Sequence, residues 1–219
     1  MNTASASRAE RSPAIPASRR VVDAPTRVVH WLLALSFIGA YLSGDSERWR
    51  LLHVSLGYTI LGLVIHRVLW GLIGPRHTRL SAWAAKLRGT PDFLRSLRSG
   101  KPNPSAAQNL LNTLFAILIL GFALIASISG YAVYEELGGD WLEELHELSS
   151  DGMLVMVLGH LLLIVTSSLL RRQNLAARMF SGRLPGRGPD LIKRNHGALA
   201  ALILAVVLGF WFVQLLAPA

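Results

Sequence analysis

The sequence predicts an all-α integral membrane protein: a four-helix transmembrane bundle followed by a fifth, C-terminal transmembrane helix. Three observations predict it. Five apolar runs each approach the roughly 20 residues that a helix needs to cross a bilayer. The 219 residues are 52% hydrophobic with a mean hydropathy of +0.41, which is high for a soluble chain of this length. The formal charge of +9 lies in alternate linkers between the runs. That is the positive-inside pattern, and it excludes the continuous basic stripe expected of a nucleic-acid partner.

Residues 1–20, rich in Ala, Ser, Pro and Arg, have no apolar core and no cleavage site. They read as a disordered basic tail, not a signal peptide. The segment from Val21 to Trp31 leads into the first run, about 28–44, where Pro25 suits a helix entry and Asp23 or Thr26 would cap it. A short turn with Asp45, Glu47, Arg48 and Arg50 precedes the second run, about 51–73, which stops at Gly74-Pro75. Residues 76–107 are polar and basic, and Trp83, Leu87, Phe93 and Leu94 suggest one short amphipathic helix on the membrane surface.

The third run covers about 107–134. The connection after it carries Glu135, Glu136, Asp140, Glu143, Glu144, Glu147 and Asp151 without a Lys or Arg. The fourth run, about 145–170, ends at Arg171-Arg172, and a second basic linker leads to the uncharged fifth run, about 196–217. The expected organisation is a tail over 1–20, a transmembrane domain over 21–187 and a C-terminal helix within 188–219. Since the tail and both long basic linkers belong on one side, the N-terminus is expected in the cytoplasm and the C-terminus outside.

That topology assigns depths to four histidines. His30 starts the first run and lies toward the cytoplasm, whereas His53 starts the second and lies toward the outer surface. His146 and His160 share the fourth run, fourteen positions apart. At about 100° per residue they point within roughly 40° of each other, about 21 Å apart along the axis. The layers therefore pair His53 with His146 at the outer side and His30 with His160 at the inner side. Neutral imidazole is a good axial ligand to haem iron, and four imidazoles left unpartnered in lipid would be costly. Two haems, each between two helices, answer both points. With no cysteine in the chain, they must be non-covalent b-type haems, and disulfides, iron–sulfur clusters and zinc–thiolate sites are excluded.

Neighbouring residues fit this expectation. Gly57, one turn after His53, and Gly159, beside His160, would let a flat macrocycle approach the backbone. Arg67 shares the face of His53 but lies near the inner haem, where a propionate would be its counter-charge. His66 faces away and reads as a packing residue, His77 as a solvated loop residue, and His196 as an ordinary interfacial one. Met153, between the paired histidines, reads as apolar filler, and Gly121, Ser127, Ser129 and Gly130 as close helix packing.

Asp23-Ala-Pro-Thr-Arg-Val-Val-His30-Trp31, Leu52-His53-Val-Ser-Leu-Gly57-Tyr58 and Arg67-Val-Leu-Trp-Gly-Leu-Ile-Gly-Pro75 resemble bacterial cytochrome b561. The same signatures occur in the b-type cytochrome subunits of nickel–iron hydrogenases. His146-Glu147, His160, Asn174-Leu-Ala-Ala-Arg-Met179 and Gly182 continue the likeness, which spans about 21–187. The resemblance implies a four-helix core in the bacterial inner membrane, binding two haems b through His30, His53, His146 and His160. It also implies electron transfer between a ubiquinone or menaquinone pool and a redox partner such as a c-type cytochrome or a hydrogenase. The long tail, His66 and the fifth helix depart from the family pattern.

A narrower expectation is a superoxide:ubiquinone oxidoreductase, but an anionic substrate favours a positive funnel and the outer loop is acidic. A haem-free metal transporter would need clustered ligands at one depth, which two pairs at separate depths do not provide. A structural membrane subunit is the remaining reading.

Overall fold

The structure, a computed structural model, describes residues 18–76, 78–100, 103–186 and 188–216. His77 and most of the expected tail lie outside the described residues.

Five helices are long and apolar enough to cross a membrane among the described residues. Asp23 caps α1 (Ala24–Ser43), its carboxylate accepting from the Thr26 amide at 3.1 Å, with Pro25 in the first turn. Five residues before the apolar run, this cap supplies the acceptor that lets the helix begin early. A 3-10 turn at Glu47–Trp49 leads into α2 (Arg50–Ile73). Two surface helices follow, α3 (Leu80–Arg88) and α4 (Thr90–Arg98), broken at Gly89 where one amphipathic helix was expected. Asn103 caps α5 (Pro104–Tyr134), accepting from the Ser105 and Ala106 amides. Next, α6 (Trp141–Arg171) starts four residues earlier than the apolar run, with Glu143 and Glu144 in a first turn that favours acids. A short α7 (Ala177–Ser181) precedes the last span, α8 (Gly197–Leu216).

The all-α expectation misses one feature. Ser18–Arg20, expected within the disordered tail, form β1, which pairs antiparallel with β2 (Arg183–Pro185). The ribbon ties the start of the chain to the segment after α6. Gly182 makes this possible: its carbonyl accepts from the Val21 and Val22 amides, its φ is +72°, and a Cβ would press on the Val22 carbonyl. No local apolar periodicity announces so short a ribbon.

Two antiparallel hairpins, α1–α2 and α5–α6, make the bundle and join mainly through α2 and α5. Phe122 packs on Gly152 and Phe115 on Gly159, so each ring of α5 enters a hollow on α6 two turns apart. The central core gathers Phe37, Ile60, Ala123 and Met153, one or more from each of the four helices. Outside the four, α8 lies along α1, its Val207 packed with Val29, Leu32 and Leu63. Trp211 donates to the Thr59 hydroxyl of α2 at 2.9 Å.

Candidate functional site

Two histidines meet at the end of the bundle where α1 gives way to α2 and α5 to α6. The rings of His53 on α2 and His146 on α6 lie 6.0 Å apart between centroids, at 79° to each other. Each ring is held by the backbone of the other helix in its hairpin. Nδ1 of His53 is 2.8 Å from the Ala40 carbonyl of α1, and Nδ1 of His146 is 2.8 Å from the Ala126 carbonyl of α5. A carbonyl only accepts, so each Nδ1 carries the proton and donates it. The lone pair of each neutral ring is then on Nε2, the atom free to bind a metal.

The two carbonyls belong to a repeated local device. Ala40-Tyr-Leu-Ser43-Gly44 and Ala126-Ser-Ile-Ser129-Gly130 share the pattern Ala-x-x-Ser-Gly near the C-terminal ends of α1 and α5. In both, the serine hydroxyl donates to the carbonyl four residues back, at 2.7 Å to Gly39 and 2.8 Å to Ile125. It also approaches the alanine carbonyl, at 3.2 and 3.3 Å. Such back-bonding bends a helix locally. The glycine then leaves space for the imidazole: a Cβ on Gly44 would lie 3.6 Å from the His53 ring, and one on Gly130 only 2.7 Å from the His146 ring. Reading Ser129 and Gly130 as helix packing missed this positioning role. The repeated pentapeptide was the signal available in the sequence.

His30 lies in the first half of α1 and His160 in the second half of α6. The Nδ1 atom of His160 is buried without a hydrogen-bond partner, and its ring meets Phe115 edge-on at 6.4 Å. His30 meets Trp31 edge-on at 5.4 Å. Trp31 is itself fixed, donating to the Met179 carbonyl at 3.1 Å. Met153, seven residues from each histidine of α6, is buried in the apolar core between the two levels.

The other expected site residues fall in different settings. A Cβ on Gly57 would meet no atom within 4 Å, so open space lies beside the helix one turn after His53. Gly159 is different: its hollow is filled by Phe115, so it serves α5–α6 packing and offers no cradle beside His160. Arg67 turns toward the surface helices, stacking on Trp83 at 4.6 Å and donating to the Thr78 carbonyl at 3.3 Å. No carboxylate lies within ion-pair distance of it among the described residues. His66 stacks on Trp70 at 6.1 Å, away from both histidine pairs.

This donor set fits a haem iron. Two imidazoles 6.0 Å apart between centroids, each with Nδ1 turned to a backbone carbonyl, would leave both Nε2 atoms to hold it. The backbone contacts between α6 and α2, and between α6 and α1, are sparse compared with those inside each hairpin. An inserted planar group would lie there.

The family model for prokaryotic cytochrome b561 matches residues 21–182. The chain belongs to that family. It is therefore a b-type cytochrome and a multi-pass membrane protein, and membership in the b561 family implies haem b. Two curated b561 relatives carry the name "Probable Ni/Fe-hydrogenase B-type cytochrome subunit". The one from Azotobacter vinelandii is 28% identical over 212 residues, covering 74% of this chain and 86% of the relative. The one from Azotobacter chroococcum mcd 1 is 27% identical with the same coverage. No solved structure matches this b561 chain.

Proposed function

We propose that the protein is a di-haem electron carrier, with His53 and His146 holding one haem b and His30 and His160 the other. The observation that carries this reading is the outer pair: two imidazoles 6.0 Å apart, each with Nδ1 committed to a backbone carbonyl. Haem supplies reversible one-electron chemistry. The chain's own residues hold the His53 and His146 rings in one tautomer and exclude water from the apolar centre around Met153.

The chain carries electrons between a membrane quinone and a redox partner on the outer side of the bacterial inner membrane, with the N-terminus in the cytoplasm. Relatives named as hydrogenase subunits support a hydrogenase as that partner. A basic c-type cytochrome is the second reading, supported by the exposed carboxylates of Glu135, Glu136, Asp140, Glu143, Glu144 and Glu147. The same charge repels superoxide. Among the described residues no three His, Cys, Asp or Glu side chains cluster as metal ligands, which gives a metal-transport reading no support.

Pyridine haemochrome analysis of the purified protein tests the proposal. Two haems b per chain are expected, with about one lost in each of His30→Ala, His53→Ala, His146→Ala and His160→Ala. Full haem content in all four variants would remove the ligand assignment. A C-terminal alkaline phosphatase fusion checks orientation, and an inactive fusion would reverse the sidedness.

A further inference from the structure

The end of α2 and the segment entering α8 enclose an open cleft of about 620 Å³. Its floor is apolar, with Trp70 and the buried Ile192, and its rim carries Arg76, Lys193, Arg194 and His196. The floor is well fixed. Trp70 donates to the Asp23 carboxylate at 3.0 Å and meets the His196 ring edge-on at 5.3 Å. The cleft sits where two membrane spans end, just beyond Ile73 of α2 and just before Gly197 of α8. Apolar floor and cationic rim therefore straddle the boundary between acyl chains and headgroups.

Among the described residues the rim cations have no ion-pair partner. Asp23 is fully buried and committed to Trp70 and to the Thr26 amide. Asp190 accepts from the Arg20 amide at 2.6 Å. Among the described residues no carboxylate lines the cleft. Among the described residues, Arg76, Lys193 and Arg194 form no ion pair or hydrogen bond with another protein side chain. Three cations converging on one concavity repel each other unless an anion joins them, and basic pockets between transmembrane helices take anionic lipid headgroups.

We propose that this cleft binds a phosphate-bearing anion, the headgroup of an anionic phospholipid in the leaflet on the N-terminal side. The apolar floor continuing into the span favours a lipid over free phosphate. Such a lipid would fasten the fifth helix to the four-helix core. The inference rests on the membrane-spanning fold and is independent of haem ligation.

Native mass spectrometry of the delipidated full-length protein in detergent tests it, titrating phosphatidylglycerol, phosphatidylcholine or inorganic phosphate. Phosphatidylglycerol is expected to bind at least tenfold more tightly than phosphatidylcholine. Arg76→Gln/Lys193→Gln/Arg194→Gln should erase that preference, while the charge-matched Arg88→Gln/Arg98→Gln/Arg172→Gln keeps it. An unchanged haem spectrum in both triple variants verifies folding. Equal binding of the two lipids, or an undiminished preference in the cleft variant, would overturn the site. Displacement of the lipid by equimolar inorganic phosphate would overturn the lipid and leave a free-phosphate site.

Discussion

Gly130 of α5 faces the imidazole of His146 so closely that a Cβ there would lie 2.7 Å from the ring. Its counterpart Gly44 leaves 3.6 Å to the His53 ring, an ordinary contact. The two hairpins thus present His53 and His146 by the same device with unequal tolerance.

Gly130→Ala is therefore expected to displace His146 and lower haem content by about one per chain, whereas Gly44→Ala should keep both. Haemochrome quantification of the two variants checks this. Normal haem in Gly130→Ala would show that the ring shifts without cost.

Gly159→Ala should strain the α5–α6 contact, because its Cβ would lie 2.7 Å from the Phe115 ring. Overpacking of this kind costs about 1–3 kcal/mol. Thermal denaturation in detergent should show the loss, and Phe115→Leu in the same chain should restore much of it. Equal destabilisation with and without Phe115→Leu would contradict direct packing.

On the proposed two-haem reading, Arg67 is expected to raise the potential of the haem held by His30 and His160, since a cation stabilises the state that carries the added electron. Arg67→Gln should lower one of two midpoints by on the order of tens of millivolts in a potentiometric titration. Trp83→Ala removes the stacking partner but keeps the charge, so its shift should be smaller. Two unmoved midpoints in Arg67→Gln would separate this residue from the haems.

Trp211→Phe removes the hydrogen bond from α8 to Thr59. Interhelical hydrogen bonds in membranes average about 0.6 kcal/mol, so a small loss of thermal stability is expected. Trp211→Ala should cost more, because that ring also packs against both apolar clusters. No change in either variant would show that α8 docks by other contacts.

Much of this was legible in the chain itself. Apolar run length and the placement of Lys and Arg determined five spans and their expected sidedness, because insertion depends on transfer energy and linker charge. Helical rise separated His146 and His160 by about 21 Å along one helix. These are properties of single helices. What belongs to two elements at once was decided only by tertiary structure. Whether a glycine faces open space, as at Gly57, or a ring, as at Gly159, depends on the neighbouring helix. So does the direction of Arg67, which turns to Trp83 because α3 folds back over the end of α2. The carbonyls of Ala40 and Ala126 look like any helical carbonyl in sequence. They become histidine anchors only when each hairpin closes and brings an imidazole alongside. Periodicity reports which way a side chain points along its own helix, but packing decides what it meets.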